Sequence, residues 1–212
     1  MLPFRPFYLI RHGQSEANAA RLCAGGSLDS PLNETGRAQA RALAAVIAQL
    51  PVKPDVIYHS GMKRARETAE ILNMVLKLDL HERSDLREHE VGEWEGVAWE
   101  NVAPRFKNHE NPPGGETHAQ FAQRIQSVIT EILDHEQGRL PMMVAHGGLF
   151  HALGALYEYG MTDVQNCHLH HFDPCAAYDP FPWRVCQYDI LDGKLMRNPA
   201  PFCLSVALAK IA

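Results

Sequence analysis

Phe7-Tyr8-Leu9-Ile10-Arg11-His12-Gly13 reads as a short buried strand that stops at a cation, an imidazole and a glycine. Four consecutive apolar residues, aromatic and β-branched, are too few for a helix and suit a strand covered on both faces. The pattern recurs. Asp55-Val56-Ile57-Tyr58 predicts a second strand ending at His59-Ser60, and Leu140 to Ala145 a third ending at His146-Gly147-Gly148. Between them lie helical patterns. Asn33 suits an N-cap and Glu34 the first turn after it, apolar residues follow at 42, 43, 46, 47 and 50, and Pro51 and Pro54 close the run. A helix after Ser60 carries Ala65, Ala69, Leu72 and Leu76 on one face. Thr117-x-x-Gln120 fits a capping box and opens a helix striped by Phe121, Ile125, Val128, Ile129 and Ile132. A short helix from about Leu149 to Tyr159 follows the third strand, and Trp183 to Ile190 and Cys203 to Leu208 are further strand candidates. Residues 19–32 read as a loop, and 77–116 have no clear period. Strands that alternate with helices predict an α/β fold whose mainly parallel sheet is covered on both faces.

Composition narrows the class. The 212 residues are 46% apolar and 21% charged, so the chain can bury a core, and one domain over 1–212 is expected. A formal net charge of −5 argues against an extended nucleic-acid surface. No apolar run reaches the roughly 20 residues of a membrane span, and the N-terminus lacks a signal-peptide pattern, so neither nucleic acid nor membrane is expected as a partner. Five scattered cysteines without a C-x-x-C favour reduced thiols and a cytoplasmic location.

The three junctions carry the chemistry. In an open α/β sheet, ligands bind beyond the carboxyl ends of the strands, where helix N-termini add free N–H groups. Arg11-His12-Gly13, Ser60 leading to Lys63-Arg64, and His146-Gly147-Gly148 would deliver two arginines and two imidazoles to that edge. Guanidinium groups at helix starts suit phosphate. Each residue also has a plain reading. A histidine ending a strand is usually structural, and Arg64 could pair with Glu67 or Glu70 on its own helix. Convergence favours the site, and the glycines beside both histidines would let a ligand approach the backbone.

The motifs resemble those of the histidine phosphatase superfamily, the phosphoglycerate mutase-like proteins. The matching runs are Leu9 to Asn18, Pro31 to Ala40, Tyr58 to Ala69, Leu86-Arg87-Glu88 with Gly92 to Gly96, Pro113 to Thr117 and Val144 to Gly148, in family order. The resemblance implies a three-layer α/β/α sandwich. It makes His12 the nucleophile that becomes a phosphohistidine, and it places Arg11, Arg64 and His146 around the phosphate, with Asn18 adding a polar contact. Ser15, Gly147 and Arg21 join them as substrate-binding candidates. Glu88 becomes the proton donor to the leaving oxygen and then the base for water. Spacing alone does not separate Glu88 from Glu90, Glu93 and Glu95; its place after Leu86-Arg87 does. Gln14 stands where many relatives carry Glu. No cofactor or metal is implied, and the substrate is a small phosphorylated metabolite.

Only 57 residues separate Glu88 from His146, without the long basic insertion of the cofactor-dependent mutases, so the resemblance favours phosphatase over mutase. Arg21, Trp94, Trp99 and Phe106 are candidate pocket walls, with core packing as the alternative for the aromatics. Two other classes fit parts of the sequence. Cys167-His168-Leu169-His170-His171 with Cys175 could offer ligands to zinc, although its spacing fits no standard pattern. A non-catalytic phosphate-binding protein is the third, opposed by the complete quartet. The segment after residue 160 could cover the site, form an edge strand or make a homodimer contact.

Overall fold

The computed structural model describes residues 1–158, 160–161, 164–176 and 181–200. In chain order they form β1 (Phe7–Arg11), α1 (Glu16–Ala19), α2 (Glu34–Ala48), β2 (Val56–His59), α3 (Lys63–Leu76), β3 (Leu80–Glu82), α4 (Trp99–Lys107), α5 (His118–His135), β4 (Pro141–Ala145), α6 (Gly147–Leu156), β5 (Leu169–Pro174), β6 (Trp183–Leu191) and β7 (Lys194–Pro199). The capping signals act as read. Asn33 Oδ1 accepts from Gly36 N at 2.8 Å, and Thr117 and Gln120 close a reciprocal box on α5.

One sheet of seven strands runs in the order β3-β2-β4-β1-β5-β6-β7. The first four are parallel; β5, β6 and β7 extend the β1 edge antiparallel. Alternation of side chains sends each strand's residues to two different cores. Phe7, Leu9, Tyr58, Met143 and Ala145 pack toward the α5 and α6 side chains, whereas Tyr8, Ile10, Ile57, Met142 and Val144 pack toward those of α2 and α3. The result is the expected α/β/α sandwich.

Register sets the site. Arg11 pairs with Ala145 and His59 with Val144, so the parallel strands end level. His12, Ser60 and His146 therefore leave the sheet side by side. A close approach near the site needs glycine: a Cβ on Gly36, in the first turn of α2, would collide with the backbone of Gln14. Gly13 likewise faces the Gly36 backbone, so its bare Cα serves chain packing rather than ligand approach.

Several elements depart from the sequence reading. Residues 16–19, most of them ahead of the expected loop at 19–32, form a capped single turn. α6 starts at Gly147, two residues earlier than expected, and ends at Leu156. β3, α4 and β7 gave no usable period: β3 has three residues, α4 contains Pro104, and β7 is largely exposed. The strand candidate Cys203 to Leu208 lies outside the described residues. Among the described residues no helix is long and apolar enough to cross a membrane.

Candidate active site

His12 sits at the centre of the site, 3% exposed. Its Nδ1 lies 2.6 Å from the Gly13 carbonyl oxygen. A carbonyl can only accept, so Nδ1 carries the proton and Nε2 keeps its lone pair. Arg64 Nε donates to that Nε2 at 3.2 Å. Burial pushes the His12 pKa well below the ordinary 6.5, and the Arg64 and Arg11 charges push it further down. A buried neutral imidazole thus holds an unprotonated nitrogen toward a cation.

Arg64 is 1% exposed, at the start of α3. Its other donors go to the carbonyls of Leu28 (3.0 Å) and Gly25 (2.8 Å). Glu67 and Glu70 do not pair with it: Arg37 holds Glu67 at 2.5 Å and Arg66 holds Glu70 at 2.8 Å. A guanidinium that is buried and bonded to an imidazole and two carbonyls, and among the described residues to no carboxylate, has the chemistry to hold an anion. Arg11 adds a second, partly exposed cation; its Nη1 donates to Val164 O at 2.7 Å, and its buried Nε has no partner among the described residues. Desolvation lowers the pKa of both arginines, while the Glu88 charge acts the other way.

His146 is fully buried, with its ring centre 5.1 Å from that of His12. Its Nε2 meets Ser60 Oγ at 2.7 Å, and its buried Nδ1 has no partner among the described residues. Burial lowers its pKa well below 6.5, and Arg64 adds to this. Glu88 is partly exposed beside the start of α6. Gly148 N donates to its Oε2 at 3.1 Å, and His89 N to its Oε1 at 2.9 Å. The His146 cap position supplies no side-chain acceptor, so the Glu88 carboxylate occupies that helix terminus. The other carboxylates are engaged elsewhere or face solvent. Glu90 pairs with Arg87 at 2.8 Å, Glu95 accepts from Ser27 and Leu28 N at 2.9 and 2.6 Å, and Glu93 is exposed.

The remaining candidates are placed unevenly. Ser15 is fully buried and caps α1 reciprocally with Asn18, which leaves the Asn18 NH2 as the end available to an anion. Gly147 opens α6 directly after His146. Arg21 is exposed at φ 55° and lines a separate depression with Ala20, Ala98 and Glu100. Trp94 belongs to a small core with Cys23, Val91 and Val102, while Trp99 stays 45% exposed against Phe106.

Two buttresses escaped the sequence reading. Thr68 Oγ1 accepts from Gly13 N at 3.0 Å and donates to Arg64 O at 2.7 Å, joining the two cationic segments. Asn166 Nδ2 donates to His12 O at 2.7 Å, and Cys167 N to Arg11 O at 2.9 Å, so part of the C-terminal region braces His12 from behind. Threonine at position 68 matched a motif, but its partner stands 55 positions away.

The Cys167–Cys175 segment is built for packing. His170 is 1% exposed, lies edge-on to Phe150 at 4.9 Å, and has its pKa pushed down to about 4 chiefly by burial. Cys167 joins the core on the α2 and α3 side. Among the described residues no group of three His, Cys, Asp or Glu side chains could hold a metal ion.

Comparison with known proteins follows this geometry. Residues 7–178 match the profile of the histidine phosphatase superfamily, branch 1. An uncharacterized phosphatase, PhoE, of Bacillus subtilis is 31% identical over 185 residues, covering 86% of this chain and 93% of that protein. A probable phosphoglycerate mutase, GpmB, of Photorhabdus laumondii is 34% identical over 196 residues, 83% and 86% of the two chains. The solved structure of a mycobacterial glucosyl-3-phosphoglycerate phosphatase in complex with VO3 superposes with a TM-score of 0.72 at 27% identity, covering 90% of this chain and all (100%) of that one. With the family profile spanning most of its length and the motif residues gathered at one sheet edge, the chain belongs to the histidine phosphatase superfamily.

Proposed function

We propose that the protein hydrolyses phosphomonoesters of small metabolites through a phosphohistidine at His12. The observation that carries this reading is the His12 tautomer: a neutral, buried imidazole whose free Nε2 faces a guanidinium with no carboxylate bonded to it. A phosphoryl group entering the cradle would take over the Arg64 Nε–H and meet the unpartnered Arg11 Nε–H and His146 Nδ1. The Gly147 amide and the Asn18 NH2 lie in segments that flank it.

The steps balance simply. The His12 Nε2 lone pair forms a bond to phosphorus while the ester P–O bond breaks, and a protonated Glu88 gives its proton to the departing alkoxide. The Glu88 carboxylate then takes a proton from water, the resulting hydroxide forms a bond to phosphorus, and the N–P pair returns to His12. Two guanidiniums and His146 offset the charge on the equatorial oxygens. Electrophilic assistance thus comes from side chains, and activity is expected to survive chelation.

Hydrolysis is favoured over mutase chemistry by the short interval between Glu88 and His146, which has no basic insertion to hold a returning substrate. The test is phosphate release from an aryl phosphate with and without EDTA, set beside isomerisation of 3-phosphoglycerate. His12→Ala should abolish release while remaining folded. Undiminished activity in that variant would remove His12 from the chemistry, and isomerisation outpacing release would reassign the enzyme as a mutase.

A further inference from the structure

Glu88 lies on a segment with little structure of its own. Single 3-10 turns at Ser84–Leu86 and Gly92–Trp94 flank it, and residues 87–91 between them belong to neither a helix nor a strand. Such a loop would ordinarily spread its side chains over several ångströms. Proton transfer in phosphoryl chemistry needs a donor within hydrogen-bond reach of one oxygen. Something else must hold this carboxyl.

We propose that Arg124, locked by Glu116, is the positioning residue that holds Glu88 in place as proton donor, its guanidinium gathering the backbone of the acid-bearing loop. The proposal rests on the reading of Glu88 given above. Arginine has five N–H donors, and here all five are used. Nε and Nη2 grip Glu116 at 2.7 and 2.5 Å. Nη1 donates to Asp85 O (2.7 Å) and Arg87 O (3.0 Å), and Nη2 to the carbonyl of Glu88 itself at 3.2 Å. The pair is well shielded, with side-chain exposures of 13% and 15%, and Arg124 lies over the Phe121 ring at 5.0 Å.

Glu116 carries the clamp further along the loop. Its Oε2 accepts from Glu90 N at 3.1 Å, its N donates to Glu90 O at 2.8 Å, and its carbonyl accepts from His89 Nε2 at 2.7 Å. His89 in turn stacks on Phe121 at 4.7 Å. Loop anchorage alone would be met by Leu86, which is fully buried. The carbonyls gathered by Arg124 instead end on the residue that bears the acid. Because α5 supplies Arg124 and α6 supplies the Gly148 amide, Glu88 is fixed from its backbone by one helix and from its carboxylate by the other.

The fork geometry is what lysine cannot reproduce. The experiment measures kcat/KM, which reports the steps up to phosphoryl transfer, for Arg124→Lys, Glu116→Gln and Glu88→Gln on two substrates. One is 2,4-dinitrophenyl phosphate, whose leaving group departs without a proton; the other is a simple alkyl phosphate, whose leaving group needs one. Glu88→Gln should lose on the order of 10²–10⁴-fold on the alkyl ester and little on the activated one. Arg124→Lys and Glu116→Gln should follow the same split, losing roughly tenfold or more on the alkyl ester and only about two- to threefold on the activated one. If Arg124→Lys fails to fold, Glu116→Gln, which loosens the fork while keeping the arginine, carries the test. Equal losses on both substrates alongside a split in Glu88→Gln would make the clamp merely structural and overturn the proposal. No split in Glu88→Gln would overturn Glu88 as the acid, and the positioning role with it.

Discussion

Gly148→Ala offers a way to displace the proposed acid without touching it. Gly148 occupies the second position of α6 with ordinary helical backbone, so alanine there is conformationally acceptable and favours the helix by up to about 1 kcal/mol. The added methyl, however, would overlap Glu88 Oε1, with the carboxyl carbon 3.0 Å away and a Phe121 ring carbon 3.2 Å away. The carboxylate, at the end of a flexible side chain, is the group that yields. It would swing by roughly 1 Å and surrender the 3.1 Å bond from Gly148 N, a loss of about 1 kcal/mol. Gain and loss nearly cancel, so the melting temperature should stay within about 3 °C of the parent. Catalysis should not be spared: an ångström of misplacement lowers a proton-dependent step by about 10²-fold, equivalent to about 2.7 kcal/mol. The assay pairs thermal unfolding with kcat/KM on an alkyl phosphate. Full activity at unchanged stability would refute the placement of Glu88 against α6. A fall of several kcal/mol in stability would show that backbone, not the side chain, absorbs the methyl.

Two further outcomes follow from the site's electrostatics. His12, His146 and His170 are buried with depressed pKa values, so below about pH 6.5 the unfolded chain binds protons that the folded chain refuses; stability is complete above that pH and is lost as pH falls. Urea midpoints at pH 7.5 and 5.5 check this, and equal midpoints would show that these imidazoles accept protons in place. Ser60→Ala should lower kcat/KM about tenfold and stability by about 1–3 kcal/mol, since it strands His146 Nε2 in the interior; unchanged kinetics would mean that His146 needs no orientation from Ser60.

The sequence disclosed the strands that matter because each is a short apolar run broken abruptly by His or Arg, and β1, β2 and β4 are buried on both faces. Asn33 and Thr117 marked helix starts because capping is a local interaction. What stayed hidden depends on distant pairing. Ser60 meets His146 across 86 positions, Thr68 meets Gly13 across 55, and Arg124 reaches carbonyls, which every residue possesses and no motif advertises. The choice of Glu88 among four clustered carboxylates came from family resemblance. The geometry now gives a physical difference: Glu88 bonds to the α6 terminus, whereas Glu90 and Glu95 have partners of their own and Glu93 faces solvent. Gly13, beside His12, faces another stretch of backbone, a contact that no local pattern marks.

The strand order has a bearing on how the chain is made. β4 is the last parallel strand to be translated, yet it lies between β1 and β2, which lead into His12 and Arg64. Until the ribosome has delivered Ala145, those two strands have no shared neighbour, and the basic groups have no common floor on which to meet. A nascent polypeptide therefore lacks the assembled cradle, which forms only when the centre of the sheet is filled.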